Sequence, residues 1–161
     1  MNEEIKQKFC QEFGDKRVLL EEPMKRHTTF RIGGPAEIFV IPDNIEDVRK
    51  IIEICNVEDI PYFILGNGSN LLVSDKGYQG VVVQLYRNFG QIRVEDGRIH
   101  AQAGAMLSVI AKRALEQGLT GMCAPSKYYS YLQGGLPILA VAEQNSYLSK
   151  EALHSEIGLC S

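Results

Sequence analysis

No apolar run in the 161-residue sequence approaches the ~20 residues that a membrane-spanning helix needs, so no membrane partner is expected. No apolar stretch follows the acidic start, Met1 to Gln7 with Glu3 and Glu4, and a secretory signal is not expected there. No C-x-x-C pair occurs. The four cysteines, Cys10, Cys55, Cys123 and Cys160, lie far apart, with no histidine at ligand spacing. That pattern argues against a zinc site and, without an export signal, against a disulfide framework. The cysteines read as reduced thiols acting as small core hydrophobes in a cytoplasmic protein. Positive charge is not in excess: 17 Lys and Arg face 20 Asp and Glu, a net charge of −3, which is not the basic stripe of a nucleic-acid binder. Internal repeats and low-complexity tracts are absent. What is present, 45% hydrophobic and 23% charged residues, is the balance of a folded globular chain long enough to bury a core without staples.

Periodicity and turn residues place the elements. Residues 2–13 read as a helix, capped by Asn2, with Ile5, Phe9 and Phe13 on one face and Gly14 ending it. Val18-Leu19-Leu20 is a short apolar strand broken by Glu21-Glu22-Pro23. Glu37 to Ile41 reads as a strand ended by Pro42. Asp43 and Glu46 resemble a capping box for a helix whose apolar face is Ile45, Val48, Ile52 and Cys55. The continuous apolar run Pro61 to Leu65 then implies strand–helix–strand with a buried parallel pair. Leu71-Leu72-Val73 and Val81 to Leu85 read as further strands. Asp96-Gly97 lies between Gln91–Glu95 and Arg98–Ala103, a strong hairpin signal. Leu107 to Gln117 reads as a helix with Leu107, Ile110, Ala111, Ala114 and Leu115 on one face and Gly118 as its left-handed cap. The order implies an α+β fold with a small parallel βαβ layer and a separate antiparallel layer. The alternating helices are too few for a doubly wound nucleotide fold.

Two segments carry candidate chemistry. The loop Gly66-Asn67-Gly68-Ser69-Asn70 leaves the C-terminal end of a parallel strand, where ligands favour sheets of this kind. Gly66 and Gly68 can take positive φ, successive backbone N–H groups can cradle an anion, and Ser69 and Asn70 add a hydroxyl and an amide. No lysine follows as in an ATPase phosphate loop, and the spacing misses G-x-G-x-x-G. A plain turn between strands is the alternative. In His27-Thr28-Thr29-Phe30-Arg31-Ile32-Gly33-Gly34-Pro35, Arg31 can meet a phosphate or a carboxylate; the alternative is a tight turn with a solvated arginine. A lone histidine such as His27 beside threonines is more often structural than catalytic.

Taken together, P-M-K-R-H-T-T-F-R-I-G-G-P-A-E at 23–37, I-P-Y-F-I-L-G-N-G-S-N-L-L-V at 60–73, A-Q-A-G-A at 101–105 and G-L-T-G at 118–121 resemble the N-terminal half of UDP-N-acetylenolpyruvoylglucosamine reductases, over residues about 10–122. The resemblance implies an FAD-binding domain at 1–122 of the vanillyl-alcohol-oxidase type. It also implies NADPH as electron donor and a UDP-sugar substrate, UDP-N-acetylglucosamine enolpyruvate of peptidoglycan precursor synthesis. On the family's pattern Gly66, Asn67, Gly68, Ser69 and Asn70 hold the FAD pyrophosphate. Arg31, Ile32, Gly33 and Gly34, and also Ala103, Gly104 and Ala105, would lie along the cofactor. The family's proton-donating serine and its arginine and glutamate belong to a substrate domain with no counterpart here, so no catalytic residue and no full turnover are expected of this chain alone. After Gly121 the family calls for G-I-P-G-x-x-G-G, whereas this sequence runs Met122 to Gly135 without that string. The change reads as a join to an unrelated tail, 123–161. Within it, Pro125 to Ala140 resembles the donor-binding segment of a GT-B glycosyltransferase, with Glu151 to Ser161 as that fold's next helix and turn. The other functional readings are accordingly a nucleotide-sugar-binding glycosyltransferase fragment or a non-catalytic chimeric remnant.

Overall fold

The structure, a computed structural model, describes residues 2–118 together with the backbone of the strand segments 138–140 and 158–160. The chain divides into two compact units, Met1–Val94 with His100–Met106, and Glu95–Ile99 with Leu107–Ser161.

In the first unit, helix α1 (Glu3–Phe13) begins where the Asn2 side chain accepts from the Glu4 N–H and ends at Gly14, φ 83°. Phe9 and Phe13 are buried, as their spacing predicts. Strand β1 (Val18–Pro23) runs through Glu21-Glu22 instead of stopping before them. It is an edge strand, which is where a terminal proline is tolerated. A single 3-10 turn, Met24–Arg26, follows, then β2 (Pro35–Val40), α2 (Ile45–Val57), β3 (Tyr62–Leu65) and β4 (Tyr78–Gln84). The cap of α2 sits one residue later than the Asp43/Glu46 spacing predicts. Asn44 accepts from the Asp47 N–H at 2.9 Å, and Asp47 accepts from the Asp43 N–H at 3.0 Å. Arg17 fastens this corner at 2.9 Å from Asp43 and 2.6 Å from Asp47. With the register so set, Ile51 and Cys55 are buried while Ile45 in the first turn faces solvent.

The sheet order is β1-β2-β4-β3, with β1/β2 antiparallel and both pairs involving β4 parallel. The predicted parallel relation of β2 and β3 holds in direction but not in adjacency, because β4 lies between them. It pairs Ile38 with Val81 and Phe63 with Val82. Strand β3 is therefore an edge: Tyr62, Phe63 and Ile64 are 37–40% exposed and only Leu65 is buried. Leu71–Val73 forms no strand. It is a loop whose Leu71 and Val73 pack against Met24, Ala36, Phe39, Leu65 and Val82.

Side-chain alternation sorts the sheet into two faces. Ile38, Val40, Val81 and Val83 pack with Phe9, Phe13, Ile51 and Cys55 of the two helices. Phe39 and Val82 point the other way, toward Met24 and Leu65. Gln84, two residues beyond Val82, shares that face, opposite α1 and α2.

Strands β5 (Ile92–Glu95) and β6 (Arg98–Ala101) form the separate two-stranded sheet expected around Asp96-Gly97. Both turn residues have positive φ, 49° and 70°, as a type I′ hairpin requires. In the second unit α3 (Leu107–Glu116) ends at Gly118, φ 67°, whose N–H donates to the Leu115 carbonyl at 3.0 Å. Its predicted apolar stripe is not buried: Leu107 and Leu115 are both exposed. Strand β7 (Ile138–Ala140) pairs in parallel with β8 (Gly158–Cys160), so 158–160 is a strand where a turn was expected. The other readings of the tail lie outside the described residues.

Candidate functional site

Three segments meet on the face of the sheet opposite α1 and α2, at the C-terminal end of β4, around a cleft of about 340 Å³. The turn after β1 contributes Arg26, His27, Thr28, Thr29 and Arg31. The loop after β3 contributes Asn67, and the end of β4 with its exit contributes Gln84, Tyr86 and Arg87.

The turn is held by local hydrogen bonds. His27 donates its backbone N–H to the Met24 carbonyl at 2.9 Å, and Arg31 to the Thr28 carbonyl at 3.2 Å with φ 55°. Thr28, buried, donates its hydroxyl to the Ile32 carbonyl at 3.1 Å. The His27 ring stacks on Phe39, centroids 4.0 Å apart, and its Nε2 lies 3.0 Å from Glu22 Oε1. Glu22 also meets Arg26 at 3.5 Å. Arg31 and Arg87 form no ion pair among the described residues, so the cleft carries uncompensated positive charge and favours an anion.

The motif glycines fasten these segments to one another. Gly68 is buried with φ 66°, and a β-carbon there would overlap the His27 carbonyl oxygen. Its own carbonyl accepts from the Thr29 N–H at 3.1 Å. Gly66 has open space around it and no positive φ, so of the two loop glycines only Gly68 needs to be one. The backbone N–H groups of Asn67, Gly68, Ser69 and Asn70 donate to no partner among the described residues. Of this loop only Asn67 lines the cleft.

The other candidates support the cleft without lining it. Gly34 donates to the Ser74 carbonyl at 2.9 Å and packs against the backbone of Asp75 and Gly77. Gly33, φ 126°, lies against Val73, and Ile32 is exposed. Gly104, between Ala103 and Ala105, donates to the Phe89 carbonyl at 2.8 Å and packs on the Leu85 carbonyl. Of the predicted site residues, the structure brings Arg31 and Asn67 into the cleft wall itself.

Gln84 is the residue that sequence reasoning passed over. It is only 5% exposed, lines the cleft, and its Oε1 is buried with no hydrogen-bond partner. Its signal was the single polar side chain closing the apolar run Val81-Val82-Val83. Arg87, three residues on, was missed for lack of any local pattern. A second, apolar cavity of about 230 Å³ lies between Met24, Phe63, Leu71, Val73, Tyr78 and Val82.

Residues 36–152 match the family described as FAD binding domain. The chain is 44% identical over 119 residues to the UDP-N-acetylenolpyruvoylglucosamine reductase of Alkaliphilus metalliredigens, covering 74% of this chain and 39% of that protein. It is 47% identical over 109 residues to the same-named protein of Clostridium botulinum, covering 68% and 35%. The chain thus spans well under half the length of these relatives. Among solved structures, p-cresol methylhydroxylase with substrate bound aligns with a TM-score of 0.57 at 21% identity, over 76% of this chain and 26% of that one. A 4-ethylphenol oxidase from Gulosibacter chungangensis aligns with 0.56 at 18% identity, over 76% and 26%. Both likenesses concern the fold, an α+β arrangement of the vanillyl-alcohol-oxidase type. With nearly three-quarters of its length inside the matched family, the chain belongs to the FAD-binding domain family.

Proposed function

We propose that this chain is the FAD-binding part of an NADPH-dependent UDP-N-acetylenolpyruvoylglucosamine reductase. The observation that carries the reading is the cleft at the end of β4, where Arg31 and Arg87 stand without ion-pair partners beside the donor-rich loop 67–70. A dinucleotide pyrophosphate matches this set: the N–H groups of Asn67 to Asn70 supply short-range donors, and the guanidiniums offset its charge. FAD held by Arg31, Arg87 and the 67–70 loop would supply hydride-transfer chemistry between NADPH and the enolpyruvyl group of the UDP-sugar. This chain's residues bind and orient the cofactor. Arg31 and Asn67 approach from two segments that Gly68 ties together, so the anion would be fixed between walls that cannot drift apart.

The division into a reductase-like part, 1–122, and a different tail, 123–161, rests on the sequence alone, which after Gly121 lacks the family's G-I-P-G-x-x-G-G string. The glycosyltransferase reading of that tail is not favoured, since the FAD-binding match runs across much of it, to residue 152. We place the protein in the cytoplasm on its scattered thiols. Among the described residues no helix is long and apolar enough to cross a membrane.

The test is a fluorescence-quenching titration of the purified chain with FAD and with FMN. Tighter binding of FAD is expected, because FMN has no pyrophosphate. Equal affinity for the two flavins would remove the role assigned to residues 66–70.

A further inference from the structure

We infer that Gln84 is a positioning residue for the bound nucleotide, its side-chain amide pairing with a hydroxyl that flanks the phosphate. The inference rests on the FAD-binding reading. Strand alternation puts Gln84 on the face opposite α1 and α2, where it lines the cleft with Arg26, Arg31 and Arg87. Its Oε1 accepts from none of them, and the Thr28 hydroxyl is already committed to the Ile32 carbonyl. A buried acceptor without a donor is disfavoured, so a ligand that brings one gains at this position. A phosphate oxygen only accepts, so it can pair with the amide nitrogen but brings Oε1 no donor. A hydroxyl both donates and accepts. It can therefore pair with whichever end of the amide the terminal torsion, broad and with little preference, turns toward the cleft. In a cleft that attracts phosphate, the hydroxyls within reach are those a few bonds from it: the ribityl chain on one side of the FAD pyrophosphate, the adenosine ribose on the other.

The experiment measures dissociation constants of FAD, FMN, ADP and inorganic pyrophosphate for the wild-type chain and for Gln84→Leu. Gln84→Met, close to glutamine in length, is run in parallel in case the leucine variant folds poorly. Thermal unfolding of each ligand-free protein is recorded beside the titrations. The variants are expected to melt no lower than wild type and to bind FAD about tenfold more weakly, with pyrophosphate unaffected. A matching loss for FMN alone assigns the ribityl hydroxyls; a matching loss for ADP alone assigns the ribose. Equal losses for all four ligands, or an unchanged FAD affinity, overturn the role of Gln84 while leaving the FAD reading intact. A wild-type chain that binds none of the four overturns both.

Discussion

Replacing Gly68 by alanine puts the central claim about the loop to the test. The residue sits at φ 66°, and its missing β-carbon faces the His27 carbonyl oxygen. Two costs follow. Holding a non-glycine residue in left-handed geometry costs about 1–2 kcal/mol. The overlap with His27 cannot be relieved by a rotamer change because both partners are backbone, so the loop or the turn must shift. That shift stretches the 3.1 Å bond from the Thr29 N–H to the Gly68 carbonyl, worth about 0.5–1.5 kcal/mol. The expected loss is about 1.5–3.5 kcal/mol in urea unfolding, a large fraction of the stability of a small domain. Gly66→Ala, two residues earlier in the same loop, meets nothing and has no positive φ, so its effect should stay within about 0.5 kcal/mol. Because the shift moves Asn67 against Arg31, FAD affinity should fall together with stability in the first variant and in neither respect in the second. A Gly68→Ala protein within 0.5 kcal/mol of wild type, or a Gly66→Ala protein that loses as much as Gly68→Ala, would refute the packing argument.

Arg31→Ala and Arg87→Ala should each weaken FAD binding by about tenfold, less so at high salt, with unfolding midpoints unchanged; calorimetric titration at two ionic strengths reads both, and unaltered affinity rejects the charge assignment. Asn44→Ala should cost about 1 kcal/mol in urea unfolding through loss of the α2 cap, and no loss would return the cap to Asp43. Burial pushes the Cys55 thiol from its ordinary value of 9.0 up to about 11. The unfolded chain ionises this thiol first, so its contribution is fully present below pH 9 and is lost as the pH rises through 9 to 11, about 1.4 kcal/mol per pH unit. Cys55→Val should flatten the alkaline fall in stability over that range, and an unchanged slope would show that other groups cause it.

The elements that were legible in the sequence are those decided locally. Asn2 and Gly14 bracket α1, the Asp96-Gly97 turn needs two positive φ values that few other pairs supply, and Phe9 and Phe13 repeat at helical spacing. What escaped depends on distant partners. The run Pro61 to Leu65 reads as buried because every side chain is apolar, yet burial is set by how many strands flank it, and β4 arrives from 16 residues later to leave β3 at the edge. Leu71-Leu72-Val73 has strand composition but no strand to pair with. The site divides in the same way. The glycine loop announces itself by composition, whereas Gln84 becomes informative only once β4 is known to alternate Val82 and Gln84 onto the face opposite the helices.

The positions of the motif glycines also bear on how such motifs should be interpreted. Gly34, Gly68 and Gly104 each face a backbone carbonyl, of Asp75, His27 and Leu85, at a separation that no β-carbon tolerates. Each joins segments distant in sequence. Gly34 holds the entry to β2 against the loop before β4, Gly68 holds the loop after β3 against the turn after β1, and Gly104 holds the turn after β6 against the exit of β4. The side chains that line the cleft hang from those same segments: Arg31 from the turn, Asn67 from the loop, Gln84 and Arg87 from the end of β4. A string of glycines beside a binding site therefore need not touch the ligand to be required by it. In this chain the glycines set the spacing of three walls, and the polar side chains on those walls are left to set what binds.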